Sequence, residues 1–296
     1  MDIRHLRYFV AVATERNFTR AADRVGVAQP SLSRQIRELE HELGLTLFAR
    51  DSRPVELTPG GQLLLEHAYK VIGTVEQLRN ALKRFTTGER RRFMIGFVGS
   101  TIYGLVPALI RRFRERAPDL DIDLVEMNTV TQITALKRGV IDAGLGRLTF
   151  EDPELRRRVI EQERLVVALP RGHLLSDREK PVTLAEISSD TVILYPSEPR
   201  PSFADQIMAI FRDCGFVPTI TREVRELQTA LGLVAAEFGV CLVPASVQRL
   251  QRDDVVYHSI ADEAAISPII LNWRASDTSP ATILLLRICG ELTPHE

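Results

Sequence analysis

The chain has 296 residues, 45% hydrophobic and 26% charged, with 38 Lys and Arg against 39 Asp and Glu for a net charge of −1. That is ordinary for a folded protein of about two domains, and near-neutrality excludes a globally basic nucleic-acid binder while allowing a local basic face. Three scattered cysteines (Cys214, Cys241 and Cys289) exclude a disulfide framework or a metal-ligand spacing, and with no signal-peptide pattern and no apolar run of ~18 residues the expectation is a cytoplasmic protein without membrane attachment.

Apolar residues Ile3, Leu6, Phe9, Val10 and Ala13 predict a helix over residues 3–14. In NFTRAADRVGV, Thr19 is placed to cap a short helix whose inner face is Ala21, Ala22 and Val25, and Gly26 stops it. A further helix opens at Gln29-Pro30-Ser31 with Pro in its first turn, carries the stripe Leu32, Ile36, Leu39 and Leu43, and ends at Gly44. Two short helices joined through a glycine turn predict a helix-turn-helix. Its outward residues Gln29, Ser31, Ser33, Arg34 and Arg37 are types that reach base edges and phosphates from a major groove. The same arginines are equally consistent with an ordinary solvated face. Of the 38 cations only Lys70, Lys83, Lys137 and Lys180 are lysines; that bias fits bidentate recognition, and it fits genome composition too.

LFARDSRPVELTPGG then reads as strand, turn at Asp51-Ser52-Arg53-Pro54, and strand. This is a wing, with Arg50 and Arg53 at its tip to hold phosphate or the minor groove. Pro59-Gly60-Gly61 opens a helical pattern running to about residue 87, with apolar Leu63, Leu64, Ala68, Val71, Ile72, Val75, Leu78 and Leu82. A long helix between domains has no core of its own to cover that stripe, so it is expected to pair with a second copy of the chain. Residues 86–91 form a polar linker.

From residue 93 the texture changes to strands alternating with helices. FMIGFVGS, LDIDLVEM and DAGLGRL read as strands separated by the helices YGLVPALIRRFRERAP and TVTQITALKRGVI. A restart follows at ERLVVALP (163–170), then TVILYP, a helix from Phe203 to Cys214, TITREV, the helix LQTALGLVAAEFG, VCLVPAS, AISPIILNWRA and a last helix around residues 280–291. Alternation of this kind predicts parallel sheets, here two α/β lobes with a cleft between them. Ligands of open α/β sheets bind at the carboxyl ends of strands. Ser100, Thr129 and Arg147 follow three of the strands, and Ser202 and Phe203 open a helix in the other lobe. Hydroxyls and N–H groups at helix starts suit an anion, although Ser and Thr are also plain N-caps. No catalytic constellation is present: GxSxG, HExxH, a phosphate-binding loop and CxxC are all absent, and GFVGS lacks the GxGxxG spacing.

The stretch FTRAADRVGVAQPSLSRQIRELEHELG, followed by LF.R and LT..G, resembles the LysR-type transcriptional regulators, and the resemblance covers the whole chain. It implies an α/β chain with a winged helix-turn-helix DNA-binding domain (1–58), a linker dimerisation helix and hinge (59–90), and a two-lobed, periplasmic-binding-protein-like effector domain (91–296). The first lobe would take about 91–161 and 268–296, the second about 162–267. Implied partners are double-stranded promoter DNA, RNA polymerase and further copies of the chain as homodimer and homotetramer. No metal, cofactor or catalytic residue is expected. The candidate DNA contacts are Thr19, Gln29, Pro30, Ser31, Ser33, Arg34, Arg37, Arg50 and Arg53.

Further likeness, in IGFVGS, EMNT, IDAGLGRL, YPSEPRPSFAD and EVRELQTALGLVAAEFGVCLVPAS, is to the benzoate, catechol and chlorocatechol regulators of that family. Those activate aromatic-degradation operons in response to cis,cis-muconate or related dicarboxylates. The implied effector residues are Ser100, Thr129, Arg147, Pro201, Ser202 and Phe203, and all but Pro201 are positions already singled out. Some members hold a second aromatic acid with an Arg in the segment before ERLVVAL; Glu161 stands there, so that site is not carried over. The alternatives are the same fold sensing another small acid, and a small-molecule-binding or catalytic α/β protein with a merely structural helix pair.

Overall fold

The computed structural model describes residues 1–49, 54–87 and 91–292. They divide into two units, Met1–Glu89 with Lys137–Val140, and Arg90–Leu136 with Ile141–Glu296.

In the first unit, α1 (Ile3–Glu15) starts where the Asp2 carboxylate accepts the His5 N–H at 2.9 Å. α2 (Phe18–Val25) and α3 (Gln29–Leu43) follow. The cap of α2 is Asn17 and not Thr19: Asn17 Oδ1 accepts the N–H groups of both Thr19 and Arg20, and Thr19 is already inside the helix. Asn reaches two free amides from one position earlier, which leaves the threonine hydroxyl no role in the cap. Gly26 ends α2 at φ +71°, a left-handed conformation that a side chain would strain. Leu32, Ile36 and Leu39 of α3 pack with Leu6, Phe9, Val12, Ala21 and Ala22 into one core. Phe48 closes that core from the wing, its ring 5.3 Å from Phe9. The wing pairs Phe48 with Leu57, and the Glu40 carboxylate of α3 accepts the Leu47 N–H at 2.7 Å. The long helix α4 (Pro59–Thr87) does not leave its whole stripe uncovered. Ala68 is buried and Leu64 and Ile72 pack on the unit's own core, because α4 lies along α1, whereas Leu63, Val71 and Leu78 are exposed.

The second unit opens with β1 (Arg91–Phe97), a short 3-10 helix Gly99–Tyr103, α5 (Val106–Arg116), β2 (Leu120–Glu126), α6 (Thr129–Lys137) and β3 (Ala143–Gly146). Then come β4 (Leu155–Pro170), α7 (Leu184–Ile187), β5 (Thr191–Leu194), α8 (Phe203–Asp213), β6 (Ile220–Glu223), α9 (Leu227–Ala235) and β7 (Cys241–Pro244). A 3-10 helix Ala245–Leu250, β8 (Val255–Ser259), β9 (Ile266–Arg274) and α10 (Pro280–Leu292) complete it. β1 runs parallel to β2 and β3, and β5 to β6, as strand–helix–strand units require. The sheets are nevertheless mixed: β9 is antiparallel to β3 and β4, and β4 is antiparallel to β7 and β8. The expectation of wholly parallel sheets fails because β4 and β9 have another task. They pair from Leu155 to Arg164 in the first lobe, and from Leu165 onward β4 takes β7 and β8 as partners in the second. One antiparallel ribbon thus joins the two lobes.

Alternation along β1 puts Phe93 and Ile95 against α5 and α10 on one face and Met94 against Leu136 and Ile141 on the other. The second lobe has its own core, centred on Val167, Leu194, Phe211, Leu231 and Val243. Cys241 and Cys289 are buried and Cys214 half-buried. Burial raises all three thiols, Cys289 to about 12.

Candidate functional sites

The first site is the outer face of α3. Arg34 and Arg37 are exposed there together with Gln29 and Pro30, while Ser31 and Ser33 are half-buried. Gln29 Nε2 donates to the Ser33 hydroxyl at 2.9 Å, and Arg37 Nε donates to the Ser33 carbonyl at 3.3 Å. These bonds orient the side chains along one face without using up the arginine forks. Arg34 Nε stands 3.7 Å from the Glu38 carboxylate, an exposed pair weak enough to be exchanged for a base or phosphate. Thr19 is exposed at the start of α2. Arg50 and Arg53 lie outside the described residues.

The second site is a cleft of about 420 Å³ between the lobes of the second unit. All six expected effector residues, Ser100, Thr129, Arg147, Pro201, Ser202 and Phe203, line it. The parallel strands explain the convergence. β1, β2 and β3 point their carboxyl ends the same way, so the residues after them share one rim. Arg147 Nε donates to Ser100 Oγ at 2.8 Å, and the Arg147 N–H donates to Thr129 Oγ1 at 3.2 Å. Gly146 permits this closeness: a Cβ there would sit 2.7 Å from the Thr129 methyl. On the opposite wall Ser202 caps α8, accepting the Ala204 N–H at 3.2 Å and donating to the Pro196 carbonyl at 2.8 Å. Its hydroxyl is therefore committed to the backbone, and the group it offers the cleft is a braced helix start. Phe203 packs on Tyr195 with ring centres 5.3 Å apart, giving that wall an apolar floor.

Sequence reasoning passed over Glu163. Its carboxylate accepts from Arg147 at 2.7 Å and from the Ser246 N–H at 2.7 Å, and Arg147 and Glu163 are 2% and 5% exposed. The chain of bonds Ser100–Arg147–Glu163–Ser246 runs from the cleft wall of the first lobe through the ribbon into the second. The sequence signal was the pair of acids at alternate positions, Glu161 and Glu163, leading into the apolar run of β4. Tyr195 is also buried at the cleft, and among the described residues its hydroxyl has no hydrogen-bond partner. Among the described residues no cluster of His, Cys, Asp or Glu is arranged to hold a metal ion.

Comparison with known proteins finds relatives for both parts of the chain. Residues 3–62 match the family described as bacterial regulatory helix-turn-helix protein, lysR family, and residues 86–293 match the LysR substrate binding domain. The chain is 48% identical over 292 residues to a probable cat1 operon transcriptional activator of Acinetobacter lwoffii, covering 99% of this chain and 96% of that one. It is 46% identical over 297 residues to the regulator BenM of Acinetobacter baylyi, covering 100% of this chain and 97% of the other. The structure of the BenM effector binding domain with its effector benzoate superposes with a TM-score of 0.65 at 42% identity, over 68% of this chain and 91% of that one. Full-length CbnR complexed with its target DNA superposes with a TM-score of 0.69 at 29% identity, over 99% of this chain and 100% of that one.

Proposed function

The chain belongs to the lysR family of helix-turn-helix proteins, DNA-binding transcription regulators and not enzymes, and we propose that it activates an operon for the degradation of an aromatic compound. In this reading a small dicarboxylate such as cis,cis-muconate is the effector and binds between the lobes. The reading also has the protein act in the cytoplasm as a homodimer assembled into a homotetramer, bound to promoter DNA and signalling to RNA polymerase. Gln29, Ser33 and Arg34 would read bases, Thr19, Pro30, Ser31 and Arg37 would position the helix, and Arg50 and Arg53 would hold the backbone. Ser100, Thr129 and Arg147 would take one carboxylate, and Pro201, Ser202 and Phe203 would present the start of α8 to the other. The probable cat1 operon activator and the regulator BenM among its relatives support the operon class.

The observation that carries the effector assignment is the cleft itself, where hydroxyls and a guanidinium from one lobe face a helix start from the other. Closing on a ligand that touches both walls would bias the lobes by no more than the ligand's differential affinity for the two states. The test is calorimetric titration of muconate into the chain with Ser100→Ala and Thr129→Val together. Losing two hydrogen-bonding groups should weaken binding by ~10-fold or more, at roughly 1 kcal/mol each, with operator binding retained. Unchanged muconate affinity would move the effector elsewhere.

A further inference from the structure

Glu161 is the odd acid of the ribbon. It stands on β4 two residues before Glu163, and strand alternation puts both carboxylates on one face. Glu163 is buried and doubly bonded. Glu161 is half-buried and, among the described residues, its carboxylate forms no hydrogen bond or ion pair. The charged groups facing it are Glu163 on its own strand, Arg147 from the end of β3, and Arg249 from the 3-10 helix Ala245–Leu250. Neither arginine is at its disposal: Arg147 is matched by Glu163, and Arg249 donates to the Tyr103 carbonyl at 2.6 Å. Partial burial first, and the Glu163 charge second, push the Glu161 carboxyl above the usual carboxylate range.

We propose that Glu161 couples occupancy of the cleft to uptake of a proton. This rests on the reading of the cleft as an acid-binding site. An anion seated against Ser100 and Arg147 adds a negative charge beside the Arg147–Glu163 pair, whose own charges already cancel, and so disfavours a charged Glu161. It therefore binds better when Glu161 is neutral, and by linkage Glu161 keeps its proton better when the anion is bound. The sign follows from this. The carboxyl is raised in the free protein and raised further in the complex, so affinity increases as pH falls through its titration and levels off on either side. Glu161 does not line the cleft, so it acts through Arg147 and tunes the site without touching the ligand.

The test titrates cis,cis-muconate into the full chain by calorimetry at a series of pH values from roughly 5 to 8, each in two buffers of different ionisation enthalpy. The native chain should take up a fraction of a proton per site and bind tighter toward the acid end of the series. E161Q, with fluorescence of the single tryptophan confirming its fold, should bind with no proton uptake and equally well across the series, and E161D should restore the slope. E161Q with native uptake and slope would overturn the coupling, as would muconate binding to the native chain without uptake. A native chain that binds its operator but gives no heat with muconate would overturn the acid-binding reading and the coupling with it.

Discussion

Burying a guanidinium is costly unless a carboxylate goes under with it, and Arg147 and Glu163 go under together. Glu163→Ala should leave Arg147 buried without a counter-charge and destabilise the second unit by about 3–5 kcal/mol. Urea unfolding followed by fluorescence of Trp273, which packs on the core of the first lobe, measures this. The double variant Arg147→Met with Glu163→Leu should recover most of the loss, since an apolar pair of similar volume leaves nothing orphaned. A double variant no better than the single one would assign the loss to packing. The sequence revealed one half of this pair. Arg147 was visible as a strand-end residue, but Glu163 is buried only because Arg147, 16 residues earlier in the chain, meets it across the fold. Thr19 was misjudged as a cap on a smaller scale, because choosing between nearby capping residues depends on backbone torsions that a residue pattern does not specify.

Elements with one apolar face were legible, and those shaped by distant partners were not. The 4-3-4 spacing of Leu32, Ile36, Leu39 and Leu43 marked α3 and its outward face correctly. The first half of β4 carries Arg156, Arg157 and Arg158, all exposed, so it shows no strand alternation and is held by its pairing with β9. β8 is a short strand beside β4, again defined by its partner. α3 carries the prediction for this scale. Arg34→Ala removes a side chain that is 71% exposed and makes only one weak pair, so the helix should keep its fold. Operator affinity should fall by ~10- to 100-fold, the equivalent of about 1–3 kcal/mol for one lost base contact, while affinity for unrelated duplex changes little. A competition gel-shift titration separates the two. Equal operator affinity in variant and native chain would remove Arg34 from base reading.

Across the whole molecule the net charge of −1 conceals a division. Residues 1–90 hold 14 cations and 11 anions, or +3, and residues 91–296 hold 24 and 28, or −4. A reader at +3 has little bulk attraction for DNA, so in the proposed reading its affinity would come from a few placed arginines and from two readers held together. α4 is the element available to join them. Its Leu64, Ala68 and Ile72 serve the reader's own core, whereas Leu63, Val71 and Leu78 remain 57%, 45% and 58% exposed on the other side. An exposed apolar row beside a satisfied one is what a helix shared between two chains looks like before the second chain is added. Replacing Leu63, Val71 and Leu78 with Ser should therefore turn a dimer into a monomer in sedimentation velocity at micromolar concentration. The reader should stay folded, because its core residues on α4 are untouched. Operator affinity should drop by ~10²-fold or more, the avidity lost when two modules no longer bind as one, while muconate binding is unchanged. A stable dimer would place the join outside α4.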